Sequence, residues 1–186
     1  GISDETDLPV TWSDSENIQW KTELPGPGSS SPVLTDTHLF VTCYSGYGTG
    51  NSGSPERMRR HLVCLDRKSG AIAWSVDVAA EMPEDSYQGY ITEHGYASST
   101  PVIDENRVYA FFGKTGVLAF DLQGNKLWQV DVGKESSNRR WGSAASLVLY
   151  KDTLIVNASE ESQSIRALDK ETGQERWKAE AAALEL

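Results

Sequence analysis

Short runs of β-branched, aromatic and other apolar residues recur along this chain, each cut off by a cluster of Gly, Asp, Asn, Ser or Pro. Leu39-Phe40-Val41-Thr42-Cys43-Tyr44, Arg107-Val108-Tyr109-Ala110-Phe111-Phe112 and Thr153-Leu154-Ile155-Val156-Asn157 are runs of this kind. β-Branched and aromatic side chains suit a pleated surface, and turn residues between such runs mark hairpins. No stretch of useful length places apolar residues at the 3.6-residue period of a helix. The pattern predicts an all-β protein.

Self-similarity sharpens that class into an architecture. The segments from Cys64 to Trp74, Ala119 to Trp128 and Ala167 to Trp177 line up. Each holds a small residue, a large apolar residue, an Asp (Asp66, Asp121, Asp169), a short polar turn, a Gly (Gly70, Gly124, Gly173) and, four residues later, a Trp (Trp74, Trp128, Trp177). The Asp carboxylate is suited to bonding turn amides, and Gly takes the positive φ that closes a short hairpin. The Trp then lies on the next strand, with enough area to fill a gap between packed sheets. Upstream of each match lie two further strand signals: Ser30–Leu34 and Leu39–Tyr44, Ser98–Ile103 and Arg107–Phe112, Ser143–Leu149 and Thr153–Asn157. Four strands per repeat describe an antiparallel meander. Such a sheet exposes both faces and must stack on copies of itself, which radial packing achieves. The expectation is four-stranded blades of a β-propeller, about three of them, forming an incomplete ring.

The A-x-D-x-x-T-G-x-x-x-W pattern, complete in Ala167 to Trp177, resembles the PQQ-like propeller repeat, and the resemblance covers residues 17–180. That repeat occurs in quinoprotein alcohol dehydrogenases and in BamB-type outer-membrane assembly lipoproteins. The stretches Leu24–Pro32 and Gly95–Pro101 look most like bacterial secreted proteins of this repeat type. The resemblance implies an extracytoplasmic protein, periplasmic or secreted. Relatives usually carry seven or eight blades, so this chain looks like the opening part of a larger propeller or a protomer that assembles through its open blade edges. Residues 1–29 are expected to form an N-terminal segment with a lone outer strand at Asn17–Thr22. Blade 1 spans 30–78, a long loop and blade 2 span 79–132, blade 3 spans 133–180, and 181–186 are a tail.

Strand parity sorts the loops. With the strands of a blade called A to D, the D-to-A and B-to-C connections share one side of the ring. Two long loops fall there, about Ser45–Arg60 and Ala79–Tyr96, with a shorter one at Gly133–Gly142. Long loops are uncommon in compact domains and tend to be functional. The first carries Arg57, Arg59 and Arg60. The second carries Tyr87, Tyr90, Glu93, His94 and Tyr96, and the third Arg139, Arg140 and Trp141. Aromatic residues and Arg are enriched at interaction hot spots, which makes these residues the candidate binding face. The competing reading is that the arginines and the acidic residues of the second loop pair with each other on a solvated face.

Other chemistry is excluded or weak. A formal net charge of −10 repels phosphate backbones, so nucleic acid is not an expected partner. No apolar run approaches the ~18 residues of a membrane span, and no signal peptide is visible at the polar start. The Gly-rich stretch Gly46–Ser54 matches neither a phosphate loop nor a dinucleotide fingerprint. His38, His61 and His94 do not form a metal-ligand pattern, and no catalytic motif is present. In the enzymes that the repeat resembles, pyrroloquinoline quinone and Ca²⁺ occupy the ring centre beside a vicinal cysteine pair, whereas Cys43 and Cys64 are far apart in sequence. No catalytic residue, cofactor or metal is therefore expected. The function indicated is a non-catalytic module for protein, peptide or glycan binding or scaffolding; the alternatives are a fragment of a PQQ-dependent dehydrogenase and a BamB-type outer-membrane assembly factor. If Phe112 faces Val117 in blade 2, alignment of the blades puts Cys43 and Cys64 on one sheet face as diagonal neighbours. Two buried thiols are then expected rather than a disulfide.

Overall fold

The computed structural model describes residues 4, 6–50 and 53–181, so the tail beyond Ala181 lies outside the described residues. Three four-stranded antiparallel sheets follow one another along the chain. Blade 1 consists of β1 (Val33–Leu34), β2 (His38–Ser45), β3 (Arg59–Asp66) and β4 (Ile72–Ala79). The short helix α1 (Ile91–His94) precedes blade 2, which consists of β5 (Val102–Ile103), β6 (Arg107–Phe111), β7 (Val117–Asp121) and β8 (Lys126–Val130). Blade 3 consists of β9 (Val148–Tyr150), β10 (Thr153–Ala158), β11 (Ser164–Asp169) and β12 (Glu175–Glu180), with α2 (Ser159–Ser162) between β10 and β11. The expected class, incomplete propeller blades, is what the chain forms.

The repeat explains the stacking. In each blade the third and fourth strands slip by one residue beside the small position, so that Cys64 faces Trp74, Ala119 faces Trp128 and Ala167 faces Trp177. A small residue there leaves room for the indole. Trp74 then reaches the next blade, where its Nε1 donates to the Leu122 carbonyl at 3.0 Å. Trp128 donates to the Lys170 carbonyl at 3.2 Å. Both acceptors directly follow a repeat Asp, in turns that the Asp carboxylates cap: Asp66 accepts from the Ser69 amide, Asp121 from the Gln123 and Asn125 amides, and Asp169 from the Glu171 and Thr172 amides. The repeat glycine has positive φ, and its missing Cβ makes room for the incoming ring: a Cβ on Gly173 would lie 2.8 Å from Trp128.

Trp20 performs the same act on blade 1, donating to the Arg67 carbonyl at 3.0 Å and lying against Gly70. Asn17–Thr22 is assigned no strand, so the lone strand expected there is replaced by an extended segment bound through side chains: Gln19 to the Lys68 carbonyl and Thr22 to the Gly70 carbonyl. Trp20 and Leu24 pack on Cys43, Val63 and Leu65, so one face of blade 1 is covered from within the chain. The opposite end differs. Trp177 is 47% exposed, and Val148 and Ile165 are exposed on the same open face of blade 3. The two inter-blade cores centre on Phe40, Leu62, Phe112 and Phe120, and on Tyr109, Phe111, Leu154 and Leu168.

Two further sequence expectations need correction. First, the first strand of each blade is shorter than its sequence signal: β1, β5 and β9 begin only at Val33, Val102 and Val148, and residues before them bond between blades instead. The Ser31 amide donates to Thr100 Oγ1 and the Thr100 amide to Ser146 Oγ, an inner belt that passes through the same repeat position of all three blades. Second, Val117 faces Phe111 rather than Phe112, because Phe112 leaves the strand to begin the turn at Gly113–Thr115. Blade 1 follows suit: Cys43 faces His61 and Phe40 faces Cys64. The two cysteines therefore lie on opposite faces of the sheet, one against Trp20 and one in the core between blades 1 and 2. Both are buried free thiols.

Candidate functional site

The loops on the long-loop side build two different structures. Between blades 1 and 2 they form a packed cap. Tyr44, Met58, Ile91 and Tyr96 are buried together, with Tyr47 and Tyr87 against them. The Tyr96 ring is edge-on to Tyr44 at 5.4 Å and stacked on Tyr47 at 5.8 Å. Its hydroxyl donates to the Asp85 carbonyl at 2.7 Å, and burial pushes its pKa up. Tyr87 donates its amide to the Tyr47 hydroxyl. Tyr87 and Tyr96 thus pin the loops.

Arg60 belongs to the same cap. It lies in β3 rather than in the loop where sequence parity put it, and it is 2% exposed. Its guanidinium donates to the Tyr96 carbonyl, to Thr115 Oγ1 of blade 2 at 2.9 Å and to Glu84 at 2.6 Å. A charge is tolerated in the interior when it is paired and fully hydrogen-bonded. Nearby, Lys114 pairs with Asp85 at 3.1 Å and donates to Ser136. Arg59 is likewise in β3, where it is exposed and pairs loosely with Asp77 at 3.6 Å. Arg57 is exposed in a short turn, and Arg140 is exposed with φ +50°. Of the three arginines of the first loop, only Arg60 pairs with the acidic loop among the described residues.

Between blades 2 and 3 the loops leave a cleft of about 350 Å³. Tyr90, His94 and Trp141 line it, together with Gly142–Ala145 and the Asn157, Ser159, Glu160 and Glu161 positions of blade 3. Tyr90 and Trp141 are exposed, and their rings meet edge to face at 5.1 Å. His94 braces the mouth: Nε2 lies 2.7 Å from the Trp141 carbonyl and Nδ1 2.7 Å from Ser98 Oγ. The Arg139 guanidinium lies 4.8 Å from the Trp141 ring centre. Glu93 is exposed and lines a neighbouring cleft with Tyr87 and His94. The structure therefore brings Tyr90, His94, Trp141 and Arg139 together and leaves Arg57, Arg59 and Arg140 apart.

Sequence reasoning missed Glu160 and Glu161. Glu161 is 1% exposed and accepts a hydrogen bond from Ser143 Oγ. Burial raises its pKa, partly opposed by the Ser143 hydroxyl, with Glu160 and Glu84 adding to the rise. Glu160 accepts from the Ser137 amide. Both residues belong to the B-to-C turn of blade 3, which parity places on the long-loop side, so topology offered the signal that the turn's brevity hid.

The residues do not fit a bound quinone with Ca²⁺. Among the described residues no three His, Cys, Asp or Glu side chains converge, whereas Ca²⁺ takes about six to eight oxygen ligands. Cys43 and Cys64 cannot act as a vicinal pair from opposite faces of a sheet.

A family model described as outer membrane protein assembly factor BamB matches residues 10–185. Among solved structures, BamB from Moraxella catarrhalis superposes with a TM-score of 0.57 at 18% identity, over 91% of this chain and 44% of that one. The quinohemoprotein alcohol dehydrogenase of Comamonas testosteroni gives 0.55 at 18% identity, over 83% and 21% of the two chains. That of Pseudomonas putida HK5 gives 0.53 at 17%, over 86% and 21%. These likenesses concern fold, and the chain spans less than half the length of each of these structures. No curated protein matches the chain.

Proposed function

This chain belongs to the outer membrane protein assembly factor BamB family of PQQ-like repeat propellers, and on that footing we propose that it is a non-catalytic module that binds a protein, peptide or glycan at the cleft between blades 2 and 3. The observation that carries the reading is that cleft: an exposed aromatic pair, Tyr90 and Trp141, held over a recess by the His94 brace. Concave sites with a few placed polar groups are the usual ligand sites of proteins, and exposed Trp and Tyr are the usual anchors of interfaces. Within the family, a BamB-type role in outer-membrane assembly, on an extracytoplasmic protein, is the specific form of this proposal. No described helix is long and apolar enough to cross a membrane.

Residues 30–78, 79–132 and 133–180 act as the stacking units in this reading. The bare face around Trp177 gives the chain a surface for self-association. Light scattering at high concentration tests that part: a sharp monomer peak at 20.4 kDa counts against it.

The binding role is tested by selecting ligands from a random peptide library and a glycan array on the immobilised chain, with Tyr90→Ala and Trp141→Ala variants alongside. Binders that lose their affinity for both variants are expected. Binders indifferent to both variants, or alcohol oxidation once pyrroloquinoline quinone and Ca²⁺ are added, would overturn it.

A further inference from the structure

The floor of the cleft holds a charge imbalance that the fold does not correct. Glu160 and Glu161 both line it, and Glu161 is almost wholly withdrawn from water. Other withdrawn acids of the long-loop side are matched with cations: Glu84 with Arg60, and Asp85 with Lys114. Among the described residues neither Glu160 nor Glu161 makes an ion pair. Among the described residues the Glu161 carboxylate meets neutral donors, the Ser143 hydroxyl and its own backbone amide, and no cation. Withdrawing a carboxylate from water is costly unless a cation and hydrogen bonds replace the lost hydration. The raised pKa of Glu161 is the signature of that unmet cost.

Above these carboxylates stand two exposed aromatic rings. One of them already attracts a cation, since the Arg139 guanidinium lies 4.8 Å from the Trp141 centre. Arg139 does not itself line the cleft. Aromatic faces over a carboxylate floor are complementary to an alkylammonium or guanidinium group, whose stem packs on the rings while its head meets the acids. A neutral sugar can hydrogen-bond to a carboxylate, but it leaves the charge uncompensated.

We infer that the cleft is a receptor for one cationic side chain, a lysine or arginine carried on an exposed segment of a partner polypeptide, with Tyr90 and Trp141 gripping the stem and Glu160 and Glu161 the head group. The inference rests on the binding role proposed above and narrows it to a chemical class. The recess of about 350 Å³ is at the small end of ligand sites, in keeping with a single anchoring side chain.

The test uses Gly/Ser-rich peptides with one central lysine or arginine, and the same peptides with norleucine or Nε-acetyl-lysine in its place. Binding is followed by calorimetry and by the indole signal of Trp141, assigned with Trp141→Phe. The cationic peptides are expected to bind at least ~10-fold tighter than the neutral ones, as loss of a charged hydrogen bond implies. Glu160→Gln with Glu161→Gln should remove most of that preference and its salt dependence. Both substitutions conserve shape, and the spectrum of the variant reports that it stays folded. Equal binding of neutral and cationic peptides, or an unaltered preference in the folded double variant, overturns the cationic class and leaves the binding role standing. If no peptide or glycan of any charge shifts the Trp141 signal, the inference and the binding role fall together.

Discussion

Trp128→Ala and Trp177→Ala should have very different costs, although the two residues occupy the same place in the repeat. Trp128 packs on Tyr109 with ring centres 5.9 Å apart, covers Gly173 of the next blade and donates to the Lys170 carbonyl. Truncating a large core aromatic costs about 3–5 kcal/mol. Trp128 is half-buried, so the lower end, about 3 kcal/mol, is expected. Trp128→Phe keeps a ring but strands the Lys170 carbonyl, for a loss of about 1 kcal/mol of hydrogen bonding. Trp177 packs only on its own sheet and has no acceptor turn among the described residues, so Trp177→Ala should cost about 1 kcal/mol or less. Urea denaturation followed by circular dichroism measures all three, provided the slopes agree. Equal losses for Trp128→Ala and Trp177→Ala would refute the claim that the indole acts by docking on the next blade.

Three further outcomes follow from the buried and paired groups. Cys43 and Cys64 should be silent to a thiol reagent at pH 8 and give two equivalents in denaturant without reductant, because burial raises both thiols, Cys64 to about 11, where the thiolate is only ~0.1% populated. The Asp169 carboxyl, held at about 2 by Arg176 and then Thr172, should titrate below its unfolded value of ~3.9 in a carbon-13 experiment; its contribution is complete above that value and lost as pH falls through about 2, and Arg176→Ala should return it toward the ordinary range. Arg60→Ala should cost about 3–5 kcal/mol by leaving Glu84 buried and unpaired, while Arg60→Met combined with Glu84→Leu should cost less than that in the same denaturation assay.

The sequence revealed the blades because their determinants are local. Asp66 caps its own turn, Gly70 supplies its own φ, and Trp74 stands at a fixed distance from both. The hairpin register was less legible, because Phe112 looks like a sixth strand residue and only the tight turn at Gly113–Thr115 takes it out of the ladder. That single step moved Cys43 and Cys64 from one sheet face to two, as any one-residue slip does. Arg60 was readable in principle. It shares the alternation of Leu62 and Cys64, and starting the strand at Arg59 would have turned its side chain into the core. For Glu161, parity made the side of the sheet readable but not the burial. Its turn looks like any short acidic turn, and it is buried because the loop after β8 folds over it, with Glu135 donating its amide to the Glu161 carbonyl and Gly133 pressed against that carbonyl.

The contacts that stack the blades explain why chemistry gathers on one side of these sheets. On the short-turn side one device is used three times: Trp20 docks the N-terminal segment on blade 1, and Trp74 and Trp128 set the spacing between blades, each copy depending on an Asp-capped turn and a glycine that cannot vary freely. On the long-loop side no such device recurs. Blade 1 meets blade 2 through Arg60, Thr115 and the tyrosine cap, and blade 2 meets blade 3 through His94, Trp141 and the cleft. Because the Trp contacts and the inner belt of Ser31, Thr100 and Ser146 already fix the stacking, the loops opposite can differ in length and charge without moving the sheets. A recess with an unmatched buried acid is tolerable only on such a scaffold, where the cost of Glu161 is borne by packing elsewhere.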